Sequence, residues 1–328
     1  MIAVTGSAGH IGNTLVRQLV KSGHKVKAMI SPNGFDLPIS GIATETVVAD
    51  VCDINSLRKA FEGIHTVYHL AGYISITRKE GSILEKVNVE GTRNVIQACL
   101  DEGVKRLVYT STIHALVEPP SGQLITEVLE HPERVIAGTY SHSKIRATKE
   151  VMRAADKGLD VVVVFPGGVF GPFDFYPSNI GKMINSFIKG RSRFYISGGY
   201  NFVDVRDVAA GLIMATEKGK TAEGYLLTGE HITLDRFFET LKSVSGLNYT
   251  TISLPYWIAM PGSYMVEYYS LKTNSKPYFT PYSLRVLRSN GHVDLKKSSV
   301  DLNYKPRSFE QSLKDTIDWF RGNQVSEF

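Results

Sequence analysis

Thr5-Gly6-Ser7-Ala8-Gly9-His10-Ile11-Gly12 decides how the rest of this 328-residue chain is read. It follows the short apolar run Ile2 to Thr5. It precedes Ile11 to Val20, where Ile11, Leu15 and Leu19, with Val16 and Val20, recur at helical spacing. A strand, a glycine-rich turn and a helix in that order make a phosphate cradle. Gly6 permits the tight turn, Gly9 lets a pyrophosphate approach the backbone, and Gly12 lets the helix pack close to the sheet. The free N–H groups at the helix start, around His10 and Ile11, are offered to the phosphates. A glycine triplet alone would be an ordinary turn. Its place between a strand and a helix is what points to a dinucleotide.

Outward from this turn, strand-like and helix-like segments alternate as far as residue 165. Strands are expected at Val26 to Ile30, Thr46 to Ala49, Thr66 to Leu70, Arg106 to Ser111 and Asp160 to Phe165. Helices are expected at Leu57 to Phe61, Ile83 to Leu100 and Arg134 to Ala155. Such alternation predicts an α/β fold, a Rossmann-type doubly wound parallel sheet with helices on both faces. The second half is less regular. Helices are expected at Ser178 to Lys189, Val205 to Glu217, Leu234 to Val244 and Phe309 to Arg321, with a strand at Tyr225 to Leu227. The expected division is a dinucleotide-binding core over residues 1–170 and a smaller C-terminal substrate lobe over 171–328. A returning segment at about 200–230 would complete the core.

Composition narrows the function classes. Thirty-seven Lys and Arg against 32 Asp and Glu leave a net charge of +5. That excess is too small and too dispersed for a nucleic-acid binder. Hydrophobic residues at 43% and charged residues at 21% describe a chain that buries a sizeable core. Cys52 and Cys99 are too few for a disulfide framework or a Cys-rich zinc site, so no metal is expected. No signal peptide and no apolar run long enough to span a bilayer is visible. The expectation is a cytoplasmic protein with no membrane partner.

The dinucleotide itself is read at the end of the second strand. Lys27-Ala28-Met29-Ile30-Ser31-Pro32-Asn33 has no acid there to bind ribose hydroxyls and no Arg to clamp a 2′-phosphate. Ser31, with help from Lys27, favours NADP(H) over NAD(H); otherwise Ser31 is a turn residue before Pro32. Asp50, followed by Val51, can accept from the adenine amino group, or act as a helix N-terminal acid beside Asp53.

Tyr140-Ser141-His142-Ser143-Lys144 puts Tyr140 and Lys144 on one helix face at i, i+4. An ammonium beside a phenol favours the phenolate and suits proton transfer. Tyr109-Thr110-Ser111-Thr112 ends the fifth strand, at the sheet edge where such folds bind ligands. Thr112 there could hold a substrate oxygen toward Tyr140. A surface Tyr–Lys pair and a Ser/Thr cluster closing a strand are the plain alternatives.

With these motifs together, the chain resembles the extended short-chain dehydrogenase/reductase family over nearly its whole length. The matching stretches are TGSAGHIG, Asp50-Val51, His69-Leu70-Ala71-Gly72, Asn88-Val89-Glu90-Gly91-Thr92, Thr110-Ser111-Thr112, Tyr140 with Lys144, Pro166 to Pro172 and Phe202 to Ala209. The tail, Leu302 to Arg307 and the helix ending Asp318-Trp319-Phe320, is most similar to the dihydroflavonol-reductase-like branch, which neighbours the 3β-hydroxysteroid dehydrogenases. The resemblance implies hydride transfer between NADP(H) and a carbonyl/hydroxyl pair on a small molecule. It implies that Tyr140 protonates the carbonyl oxygen, that Lys144 binds the ribose and lowers the Tyr140 pKa, and that Thr112 holds the oxygen. Ser111 is the alternative hydroxyl. Leu70, Ala71, Gly72, Asn88, Thr110, Pro166 and Val169 are implied to line the cofactor, and Asn88 either supports a water relay or is structural.

Phe173, Phe175, Tyr176 and the later Tyr256, Trp257, Tyr264, Tyr268, Tyr269, Tyr278, Phe279 and Tyr282 suit an apolar or aromatic substrate, or pack the lobe. His114 could face the substrate or be structural. A nucleotide-sugar epimerase or dehydratase is the rival enzyme, with Arg191, Arg193, Arg285 and Arg288 able to bind a diphosphate. A dinucleotide sensor without turnover is the rival class, although such relatives typically lose the Tyr–Lys pair. Many relatives pair helices 83–100 and 134–155 across a homodimer. Val95, Ile96, Ala98 and Leu100 offer an apolar stripe for that, unless the stripe packs on the sheet.

Overall fold

The computed structural model describes all residues except 43, 78, 121, 129–137, 192–193, 274, 276, 278 and 324–328. The expected helix start at Arg134, the diphosphate candidate Arg193 and the wall residue Tyr278 lie outside the described residues.

The strands in chain order are β1 Ile2–Thr5, β2 Val26–Ile30, β3 Glu45–Val48, β4 Thr66–His69, β5 Arg106–Thr110, β6 Asp160–Pro166, β7 Gly168–Phe170, β8 Phe194–Ile196, β9 Gly199–Asp204, β10 Glu223–Leu227, β11 His231–Thr233 and β12 Ile252–Leu254. Seven of them form one sheet in the order β10-β6-β5-β4-β1-β2-β3, with every pair parallel. The order reverses between β1 and β4, and a crevice opens there at the carboxyl ends of the strands.

The central strands are apolar on both faces because helices cover both. On β6, Val161, Val163 and Phe165 join the cluster on one face, and Val162 and Val164 join the cluster on the other. This is why these strands read as continuous apolar runs rather than as alternation. One face is covered by α1 His10–Lys21 together with a later helix, Val205–Lys218. The other is covered by α2 Ile54–Phe61, by a helical stretch from Gly81 to Asp101, and by Thr139–Ala154. The stretch from 81 to 101 has three parts: α3 Gly81–Leu84, a π-helical turn Glu85–Glu90, and α4 Gly91–Asp101. The helix Thr139–Ala154 is α5. Val95, Ile96 and Ala98 are buried in the sheet-facing core, and Leu100 packs against it. The stripe expected to serve a dimer is therefore used within the chain.

The remaining helices are α6 Asn179–Ile188, α7 Val205–Lys218, α8 Leu234–Ser245, α9 Tyr256–Thr273, α10 Pro281–Leu287 and α11 Phe309–Gly322. A three-stranded sheet, β11-β9-β7, and a parallel pair, β12 with β8, accompany them. A cluster of phenylalanines, including Phe170, Phe202, Phe237 and Phe309, forms a third core there.

Candidate active site

Gly6 has φ +67, in the left-handed region that glycine adopts without strain. A Cβ on Gly6 would lie 2.7 Å from the Ala71 nitrogen, and a Cβ on Gly12 would lie 2.1 Å from the Gly6 carbonyl oxygen. The turn is closed on itself by the Gly9 N–H donating to the Gly6 carbonyl at 3.0 Å. Gly9 is exposed and precedes α1, whose first turn carries no acid and no side-chain cap. Those free N–H groups and the helix dipole can accept a phosphate. His10 is tied elsewhere: its Nε2 lies 2.9 Å from the Pro172 carbonyl and its Nδ1 3.8 Å from Asp174. Its ring thus fastens the turn to the loop after β7, and its contribution at the turn is its backbone.

Thr5 and the end of β4 are joined by a buried hydrogen-bond chain. The Thr5 hydroxyl accepts from the N–H groups of Leu70 and Ala71, so its own proton points to His69 Nδ1 at 2.8 Å. His69 Nε2 then donates to Thr92 at 3.0 Å, and Thr92 donates to the Asn88 carbonyl at 2.6 Å. Burial, and then the nearby Lys144, push the His69 pKa down to about 3, so the ring is neutral.

Asn88 sits in the π-helical turn, a feature frequent at functional sites. Its amide donates to the Tyr73 carbonyl and to the Ser143 hydroxyl, and its oxygen accepts from the Tyr73 N–H. Ser143 in turn donates to the Tyr140 carbonyl. A Cβ on the exposed Gly72 would lie 3.3 Å from Asn88 Oδ1 and 3.8 Å from Lys144 Nζ. Gly72 therefore leaves a bare stretch of backbone beside the Lys144 amine.

Lys144 is buried, and its Nζ donates to the Tyr109 hydroxyl at 2.9 Å and the Thr110 carbonyl at 2.7 Å. Burial lowers its pKa to about 7. In the unfolded chain a lysine holds its proton to about pH 10.4. Between those values the unfolded state binds more protons, so this group makes stability rise with pH above about 7. Urea midpoints at pH 7 and pH 9 should show that slope, and Lys144→Met should flatten it. An unchanged slope in the variant would exclude Lys144 as its source.

Tyr140 is half-buried at the start of α5. Burial, with the Tyr282 hydroxyl adding to it, holds its pKa well above the ordinary tyrosine value. That direction is opposite to the lowering expected from Lys144, because burial dominates at Tyr140. Ser111 turns toward α5, and its hydroxyl lies 2.7 Å from Thr148. Thr148 spends its own proton on the Lys144 carbonyl, so Ser111 is the donor. Thr112 Oγ1 has only a 3.4 Å contact from the His114 N–H, which leaves its proton uncommitted in that contact. The Thr110 hydroxyl is buried with no protein partner.

Tyr282, on α10, reaches the same site. Its hydroxyl is 2.9 Å from Ser141 Oγ, and a Cβ on Gly138 would strike its ring at 2.3 Å. A small open cleft is lined by His114, Tyr200, Asn201 and Ser289 to Gly291, among others. His114 is held neutral by burial, its pKa lowered to about 4. Asn201 Oδ1 is buried there without a protein partner. Nothing in the composition singled out Tyr200, Asn201 or the Lys144–Tyr109 bond.

Other candidates take other places. Lys27 is paired with Glu45 at 3.8 Å rather than held at Ser31. Ser31 is exposed and opens a turn closed by the Gly34 N–H. Asp50 Oδ1 accepts from the Cys52 N–H, while Asp53 caps α2, so Asp50 is not the helix cap. Val51 is buried against Gly91. Pro166 is buried at the end of β6, and Val169 is half-buried on β7. Phe173 and Phe175 pack against Arg17, and Phe175 also against Trp319. The Arg288 guanidinium stacks over Tyr256 at 4.7 Å, while Arg191 and Arg285 are exposed.

The sequence profile of the NAD dependent epimerase/dehydratase family matches residues 2–227. The chain is 34% identical over 325 residues to sterol demethylase protein B of Methylococcus capsulatus, covering 97% of each. It is 30% identical to a candidate dihydroflavonol 4-reductase of Synechocystis, covering 98% of this chain and 94% of that one. It is 28% identical to the decarboxylating sterol-4-alpha-carboxylate 3-dehydrogenase of Mus musculus, covering 97% and 90%. A glycine cradle at the β1/β4 crevice, a Tyr–Lys pair on α5 and these relatives lead to one assignment: the chain belongs to the NAD-dependent epimerase/dehydratase, or extended short-chain dehydrogenase/reductase, family and is an NAD(P)-dependent enzyme acting on CH–OH and C=O groups.

Proposed function

We propose that this enzyme interconverts a ring ketone and its alcohol on a largely apolar, sterol-like or planar substrate, with NADP(H) favoured over NAD(H). The observation that supports the reading is Lys144 Nζ held beside the bare backbone at Gly72 by Tyr109 and Thr110 at the end of β5, with Tyr140 one turn earlier on α5 and Thr112 just past β5. The glycine cradle fits a dinucleotide pyrophosphate, because a Cβ at Gly6 or Gly12 would collide with backbone. When bound, the nicotinamide supplies or accepts the hydride.

The residues handle the oxygen and its proton. Thr112 Oγ1 donates to the substrate oxygen and fixes its direction. Tyr140 donates the proton that the reduced oxygen requires, and recovers it in the reverse direction. A phenol above its ordinary pKa is fully protonated at pH 7, the form the reduction needs. Lys144 holds the ribose hydroxyls from beside Gly72 and, once charged, makes loss of the Tyr140 proton easier. Asn88 fixes Ser143 and the Tyr73 segment around it. Ile113, Leu116, Ile125 and Tyr200 give the cleft apolar surface, and His114, Asn201, Ser289 and Asn290, with Glu118, give it polar groups. The sterol names of two relatives support the substrate class. The absence of an acid after β2 supports NADP(H).

The test is a fluorescence titration with NADPH and NADH, then a panel of 3-ketosteroids, aromatic ketones and UDP-glucose. Tighter NADPH binding and its oxidation on a ketosteroid or planar ketone is expected. Turnover of UDP-glucose without net cofactor use would overturn the reading. Thr112→Ala should cost about 10²-fold in kcat. Ser111→Ala should cost about 1 kcal/mol of stability through Thr148 and leave kcat within a few-fold. The reverse order would move the role to Ser111.

A further inference from the structure

Helix α9 is built inside out. Ala259, Ser263 and Ser270 are its buried residues, whereas Trp257 and Met265 are 74% exposed. Ile258, Tyr264, Tyr268, Tyr269 and Leu271 are exposed as well. At 3.6 residues per turn these side chains share one arc of about 160°, and Lys272 is the charge on it. A solvated helix has the opposite arrangement, with its polar face outward. Seven large side chains exposed together amount to roughly 600 Å² or more, at the upper end for the largest apolar patch of a typical monomer.

We propose that α9 is a membrane-docking helix that lies in the interface of an anionic bilayer. Its residue types are those of the headgroup boundary: Trp and Tyr, whose rings are apolar and whose tips are polar. No described helix is long and apolar enough to cross a membrane, so α9 lies flat rather than spanning. Charge chooses the occupant. From α9 through α10, residues 256 to 288, there are four lysines and arginines against one acid, Glu267. Anionic headgroups attract such a segment. A second copy docked face to face would set two such segments against each other, which is unfavourable. The docked face also borders the cleft: α9 packs on α10, which carries Tyr282 to the site and leads into the cleft residues Ser289 to Gly291.

The experiment is flotation of the full chain with phosphatidylcholine vesicles, with and without about one third phosphatidylglycerol. The expected result is recovery with the phosphatidylglycerol vesicles, weakened by salt, and a blue shift of tryptophan emission that is lost in Trp257→Phe. Trp257→Ser/Tyr264→Ser/Met265→Ser should lower vesicle affinity at least tenfold with far-UV circular dichroism unchanged. The single Trp257→Ser serves if the triple variant is unfolded. Absence of binding to either vesicle would overturn the proposal, as would binding untouched by these variants. A dimer in sedimentation that the variants abolish, without vesicle binding, would assign the face to a second copy instead.

Discussion

Tyr140→Phe is expected to lower kcat for ketone reduction by about 10³-fold, within the range a positioned proton donor contributes. NADPH affinity should change less than a few-fold, because the contacts that organise the cofactor crevice run through Lys144, Asn88 and Ser143 rather than through the phenol. Lys144 bonds Tyr109 and Thr110, and Asn88 bonds Tyr73 and Ser143. The Ser143 bond reaches only the Tyr140 backbone carbonyl, which the substitution keeps. Stopped-flow turnover and a binding titration on the same preparation separate the two effects. A variant that turns over as the parent does would remove Tyr140 from the chemistry.

Gly12→Ala is the second large effect, and it acts on the fold of the cradle. The added methyl would sit 2.1 Å from the Gly6 carbonyl oxygen and 2.9 Å from Ser7 Cα. Both are backbone atoms in a turn pinned by the Gly9 to Gly6 bond and by Ser7 donating to the Met29 carbonyl. No side chain can move aside, so α1 must shift away from β1. A cost of about 3 kcal/mol or more is expected for overpacking at such a site, with dinucleotide binding lost beyond measurement. Thermal unfolding and the same titration check it. A variant that keeps its stability and its affinity would show that the turn is softer than these contacts imply.

The first half of the chain was legible because its elements are long and its pattern is consistent. Strands β1 to β6 fell within one residue of the expected places. Helix α2 begins at Ile54, earlier than its apolar residues showed, because Asp53 caps it. The second half hid its short strands. β7, β8, β11 and β12 have three residues each, too few to carry a period of two. Helix α9 was invisible as a helix because its apolar residues do not favour the buried side and Pro261 interrupts the pattern.

The Tyr140–Lys144 pair was readable because both lie on one helix at i, i+4. Tyr109 was not, because a fully buried strand tyrosine reads as core until its hydroxyl is seen to meet Lys144. The choice between Ser111 and Thr112 depends on which residue faces α5. That follows from the placement of Thr148, 37 residues away. Tyr282 joined the site through Ser141, 141 positions earlier, a pairing that only the tertiary fold makes.

The buried chain from the Leu70 and Ala71 amides through Thr5, His69 and Thr92 to the Asn88 carbonyl has one further property. Every link donates in the same direction, and the two ends are backbone groups that cannot reverse their roles. Replacing one link alone strands a buried donor or acceptor on each side, at about 1–3 kcal/mol apiece. Replacing the side chains in concert by apolar ones of similar shape carries far less penalty. Thr5, His69 and Thr92, far apart in the sequence, should therefore be inherited together or lost together as the fold diversifies.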